Sequence, residues 1–198
     1  MILAEPIQIT QRIAQEFERL HIRYLVGGSL ASSLHGIPRA THDVDMVAEI
    51  SSEHIPELVK SLESEFYIDA EMIREALQRQ SSFNVIHLAT MFKVDIFMLK
   101  PDVASQEEMT RREEYQISEA PDQTLFVASA EDVIVHKLYW YQLSGGKSER
   151  QWNDVLGVLQ VQQGQLDRVY LERAAQQRGV RDLLEQAVKD AEMREMPA

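Results

Sequence analysis

The chain contains no cysteine, which excludes disulfide frameworks, thiol nucleophiles and thiolate metal sites together. Nothing in that absence conflicts with the cytosol, the setting expected for it. Basic residues are scarce: 20 Lys and Arg stand against 32 Asp and Glu, a net charge of −12. That balance argues against an extended nucleic acid as partner, because phosphate affinity comes mostly from Lys and Arg. It leaves room for a small polyanion such as a nucleoside triphosphate, whose charge can be met by metal ions held on carboxylates. No apolar run approaches the roughly 18 residues of a membrane span. Met1 to Thr10 lack the basic start and long apolar stretch of a secretory signal. Low-complexity tracts and internal repeats are absent too. What remains is an ordinary globular composition, 44% hydrophobic and 26% charged, over 198 residues. A chain of that length buries a core without disulfides or a structural metal.

Hydrophobic spacing sets out the elements. Ile9, Ile13, Phe17 and Leu20 recur at helical intervals and predict an amphipathic helix ending near His21. A short β-type run, Arg23 to Val26, stops at Gly27-Gly28-Ser29; small and apolar residues from Ser29 to Leu34 suit a closely packed helix closed by Gly36 and Pro38. Asp43 to Ile50 reads as a strand, and Ser51 or Ser52 is expected to cap a helix running to about Phe66. Asp69 to Gln80 is a shorter helix. Phe83 to Leu88 and Phe92 to Leu99 form a hairpin around Ala89-Thr90-Met91. Residues 102–122 read as helix then loop, and Leu125 to Ala128 as one more short strand. From there the pattern is helical throughout: Ala130 to Leu143, Glu149 to Gln162, Leu166 to Gln177 and Val180 to Glu195, separated at Gly145-Gly146, Gly164 and Gly179. The expected architecture is α+β, a mixed sheet flanked by helices over 1–128, with a C-terminal helical region, 129–198, packed on it.

The chemistry concentrates in two stretches. A strand that runs through Gly27-Gly28-Ser29 into a helix leaves backbone N–H groups at a helix N-terminus, where a phosphate binds, and the Ser hydroxyl adds a donor. After Gly36 comes Arg39-Ala-Thr41-His42-Asp43-Val44-Asp45. Two positions apart in a strand, Asp43 and Asp45 project from one face. Carboxylates held that close repel unless a cation joins them, and hard oxygen donors prefer Mg²⁺ or Mn²⁺. Asp95, in Lys93-Val-Asp-Ile-Phe97, sits among apolar strand residues, an expensive place for an unpaired charge. It has two readings: a pair with Lys93 or an Arg, or a third ligand if its strand lies beside that of Asp43 and Asp45.

Taken together, Gly27-Gly28-Ser29, Asp43-x-Asp45 and the later Asp95 resemble the polymerase-β-like nucleotidyltransferase superfamily. The form Gly27-Gly28-Ser29, Gly36, Arg39-x-Thr41-x-Asp43-x-Asp45 is most similar to a small bacterial group related to the AbiEii-type toxin nucleotidyltransferases. The resemblance covers about residues 20–160 and extends to Lys137, on the first helix after the sheet, and to Asp154. It implies that Asp43, Asp45 and Asp95 hold two Mg²⁺ ions (or Mn²⁺) roughly 3.5–4 Å apart. It further implies that Gly27, Gly28, Ser29, Arg39, Thr41 and Asp154 serve the nucleotide, and that Lys137 neutralises phosphate charge. Arg39 reaches a phosphate or orients Asp43. The implied reaction is attack of a hydroxyl (of a small molecule, a protein or tRNA) on the α-phosphorus of an NTP, ATP by default, with an antitoxin as partner if the role is that of a toxin. A nucleotide- or partner-binding protein on the same fold without turnover is the alternative, and a purely structural module a third.

Helical spacing puts Val133, His136, Lys137 and Trp140 on one stripe, expected to be buried, so Lys137 requires an anion: the carboxylate cluster or a bound triphosphate. Gly145-Gly146-Lys147-Ser148 ends like a P-loop, but Tyr141 stands where its first Gly belongs and a helix precedes it. The six His have no metal-ligand spacing. Arg173, Arg178 and Arg181 read as a solvated helix face rather than an RNA surface.

Overall fold

A computed structural model of the chain describes residues 5–117 and 123–195. Residues 118–122, the end of the expected loop, lie outside this range, as do both termini. In chain order the elements are α1 (Glu5–Arg19), β1 (Tyr24–Val26), α2 (Gly28–His35), β2 (Asp43–Ala48), α3 (Ile55–Leu62), β3 (Phe66–Tyr67), α4 (Ala70–Arg79) and β4 (Ser82–His87). They continue with β5 (Lys93–Met98), α5 (Val103–Arg111), β6 (Glu113–Gln116), β7 (Thr124–Val127), α6 (Ala130–Leu143), α7 (Glu149–Val161), α8 (Arg168–Arg178) and α9 (Arg181–Glu195). The chain divides into two compact units: residues 1–27 with 41–127, and residues 28–40 with 128–198. Helix α2, which chain order places among the strands, thus groups with the C-terminal helices.

The first unit is built on a mixed sheet of order β3-β4-β5-β2-β1-β7-β6. At its centre β2 runs parallel to β5 and antiparallel to β1, and β1 runs parallel to β7. Alternation in β2 and β5 buries Val44, Met46 and Ala48 beside Val94, Ile96 and Met98. Packed against the sheet, α1 contributes Ile9, Ile13, Ala14 and Phe17, spaced three or four apart as its sequence requires. Its end is marked by His21 in the left-handed region (φ 56°), with the Ile22 N–H donating to the Phe17 carbonyl. Helix α4 is capped by Asp69, whose carboxylate accepts from the Met72 N–H.

Three sequence expectations differ here. Helix α3 starts at Ile55 rather than at a Ser cap: Ser51 donates its N–H to His54 Nδ1, and Pro56 opens the helix in its first turn. It stops at Leu62, so Phe66 falls in β3, which pairs with β4. Residues 113–116, expected as loop, form the edge strand β6 on β7.

In the second unit α2 packs against α6 and α7, α8 against α6, and α9 against α7. Gly36, just past α2, allows that packing. A Cβ there would lie 2.8 Å from the Val158 nitrogen and 2.9 Å from the Gly157 carbonyl carbon, so the two backbones are in contact. His35, 1% exposed, holds the Ala128 carbonyl at 2.7 Å through Nε2, and its own carbonyl accepts from Gln162. Among the described residues no helix is long and apolar enough to cross a membrane.

Candidate active site

Burying Val44 and Met46 turns the odd-numbered residues of β2 to the opposite face of the sheet, and the same alternation in β5 does this for Lys93 and Asp95. The parallel register pairs Asp43 with Lys93 and Asp45 with Asp95, so three carboxylates and one ammonium share one face of two neighbouring strands. Asn84 of β4 lies opposite Asp95 on the other side. The backbone of the acidic strand is held from two sides. Gly27 donates its N–H to the Asp45 carbonyl at 2.8 Å, and the Thr41 hydroxyl donates to the Asp43 carbonyl at 2.8 Å. Thr41 also stands 3.3 Å from the Asp43 carboxylate.

Of the two partners open to Asp95, the structure shows Lys93: its Nζ stands 2.7 Å from Asp95 Oδ2. The hydrogen bond to Asp95, reinforced by the charges of Asp43 and Asp45, holds the Lys93 ammonium above the ordinary lysine value. Among the described residues no group of three His, Asp or Glu side chains is drawn together closely enough to hold a metal ion.

In the second unit, Ser29 in the first turn of α2 accepts from Arg39 at 2.6 Å, and Arg39 clamps Asp154 with two bonds of 2.8 Å. Lys137 of α6 donates to the same carboxylate at 2.8 Å. Burial alone would raise the Asp154 carboxyl; the bonds from Arg39 and Lys137 overcome this and hold it below the usual carboxylate range. Two cations thus meet on one carboxylate beside Ser29 and the Gly28 turn (φ 57°). The anion that Lys137 requires is therefore Asp154. Val133 is buried as expected, but His136 is half-buried and Trp140 is 54% exposed, because the buried stretch of α6 ends at Leu138.

No protein-family model and no curated protein matches the chain. Among solved structures it resembles an antigenic nucleotidyltransferase-like protein from Paracoccidioides brasiliensis, 19% identical over 95% of this chain and 94% of that one, with a TM-score of 0.58. It also resembles ANT(2")-Ia in complex with adenylyl-2"-tobramycin, 13% identical over 90% and 99%, TM-score 0.59. A third is the lincosamide antibiotic adenylyltransferase LnuA, lincomycin-bound, 12% identical over 79% and 96%, TM-score 0.50. The fold is that of the polymerase-β-like nucleotidyltransferases. At these identities the likeness is one of fold.

On that nucleotidyltransferase fold the remaining signals find ordinary places. Gly145 and Gly146, both with positive φ, turn the chain from α6 into α7, and Ser148 caps α7 by accepting from the Gln151 N–H. Arg178 lies over the Tyr139 ring, Arg173 over the Tyr170 ring, and Arg181 pairs with Glu185. Sequence reasoning missed the join of Arg39, Ser29, Asp154 and Lys137 into one cluster. The signal for it was Gly36, whose close approach to Gly157 brings the segment after α2 onto α7.

Proposed function

We propose that the chain transfers a nucleoside monophosphate from an NTP to a hydroxyl acceptor and releases pyrophosphate. The observation that carries this reading is the register of β2 on β5, which sets Asp45 beside Asp95 with Asp43 on the same face of a nucleotidyltransferase fold. Three carboxylates outnumber the one ammonium, Lys93, that the register of β2 on β5 sets on that face. Hard oxygen donors with excess negative charge fit Mg²⁺ or Mn²⁺. Asp43, Asp45 and Asp95 would hold the metal, which when bound supplies charge stabilisation at the α-phosphate and the leaving oxygen.

The chain's own residues do the rest by positioning and charge. Asp95 takes the proton of the acceptor hydroxyl as that oxygen bonds to the α-phosphorus and the bond from phosphorus to the pyrophosphate oxygen breaks. Gly28 and Ser29, at the start of α2, bind the departing phosphates through backbone N–H groups and the Ser hydroxyl. Arg39, already on Ser29, adds a planar cation suited to phosphate. Lys137 and Asp154 hold Arg39 in place. Gly27 and Thr41 fix the backbone of the acidic strand.

The test supplies each of the four NTPs, labelled at the α-phosphorus, with Mg²⁺ or Mn²⁺, ATP first. Small hydroxyl compounds are the first acceptors, since two of the resembled structures hold an antibiotic or an adenylylated antibiotic. Protein and tRNA acceptors follow, with an antitoxin partner, on the strength of the AbiEii-type resemblance of residues 27–45. Label in any acceptor supports transfer. Nucleotide binding without label in any of them supports the binding-only alternative.

A further inference from the structure

We infer that Lys93 is an exchangeable counter-ion of the acidic face: it occupies the place of a divalent cation beside Asp95 and withdraws when metal binds. This rests on the reading of Asp43, Asp45 and Asp95 as metal ligands. The first support is register. Lys93 lies opposite Asp43 and two positions from Asp95 on the same strand, so its ammonium meets Asp95 on the face that Asp43 and Asp45 share. The second is the bond itself, 2.7 Å to an Asp95 oxygen that a metal would need. The third is the difference in exposure: the Lys93 side chain is 42% exposed and that of Asp95 21%. The flexible stem can therefore swing its charge into water at little cost, while the carboxylate stays on the sheet. Asn84, opposite Asp95 on β4, is uncharged, so β4 brings no second cation to Asp95 at that position.

The exchange has a thermodynamic consequence. Without metal, Lys93 relieves the repulsion among three carboxylates. With metal, it is a competitor that must be displaced, so it raises the metal concentration needed. A salt bridge with a purely structural role would stabilise the protein equally in both states.

Melting temperatures of the full chain, measured in EDTA and across a MgCl₂ titration, separate these cases. Lys93→Met and Lys93→Gln should melt below wild type in EDTA and lose that deficit at saturating Mg²⁺. Removing the competing charge should lower their half-saturating Mg²⁺ concentration about tenfold. Lys93→Arg, which keeps the charge, should track wild type. An equal deficit with and without Mg²⁺ and an unchanged half-saturating concentration, while Asp45→Asn abolishes the Mg²⁺ response, would overturn the inference and leave the metal site intact. No Mg²⁺ response in wild type, or a response that survives Asp45→Asn, would overturn the metal reading and this inference with it.

Discussion

Replacing Asp154 by Ala removes the carboxylate that two cations share. Lys137 and Asp154 each have side chains only 6% exposed, whereas the Arg39 side chain is 26% exposed and reaches water more easily. Breaking a buried pair by deleting one partner destabilises by about 3–5 kcal/mol, since a buried charge loses its compensation. Because Arg39 can relax outward, the lower end applies, about 3 kcal/mol, and most of it arises at Lys137. For a chain of this length that corresponds to a fall in melting temperature of about 6–12 °C. The double variant Lys137→Met/Asp154→Leu removes both buried charges and should recover most of the loss. The pH dependence has a definite sign. The bonds from Arg39 and Lys137 hold Asp154 below the usual carboxylate range in the folded state, so its contribution is present above the unfolded pKa and is lost as pH falls through the folded one. Urea unfolding followed by circular dichroism, from neutral pH down to about pH 2, should show wild type and Asp154→Ala converging at the acid end. A loss below about 1 kcal/mol at neutral pH, the scale of a surface pair, would refute the argument, as would a deficit independent of pH.

Two further outcomes follow from the same packing. Gly36→Ala, whose methyl would meet backbone atoms of Val158 and Gly157 at 2.8 and 2.9 Å, should cost about 1–3 kcal/mol in urea unfolding, and an unchanged midpoint would mean that α2 and α7 part freely. Arg39→Ala removes a charged donor beside Ser29 and should weaken Mg-ATP binding, read by calorimetry, by at least about tenfold; equal affinity would take Arg39 out of the phosphate site.

The acidic face was legible in the sequence because strand alternation is a local rule: Val44 and Met46 buried means Asp43 and Asp45 turned the other way, whatever the neighbours. That β5 lies beside β2 was conditional, since register depends on partners far along the chain. The ion pair of Asp95 with Lys93 was one of two open readings for the same reason. Strand β6, Glu113-Glu-Tyr-Gln116, carries no hydrophobic alternation because an edge strand is held by backbone bonds to β7 and leaves its side chains largely in water. The partner of Lys137 was illegible because Asp154 lies on a different helix. Helical spacing could show that Lys137 faces inward and needs an anion, but which anion is decided by how closely Gly36 lets α2 approach α7.

Two isotopic labels in one nucleotide test nucleotidyl transfer most directly. ATP labelled at the α-phosphorus, and separately at the γ-phosphorus, is incubated with Mg²⁺, an acceptor and either wild type or Asp45→Asn. Nucleotidyl transfer puts α-label in the acceptor and γ-label in released pyrophosphate in equal amount, and neither appears with Asp45→Asn. γ-Label in the acceptor, or equal transfer by Asp45→Asn, would contradict it.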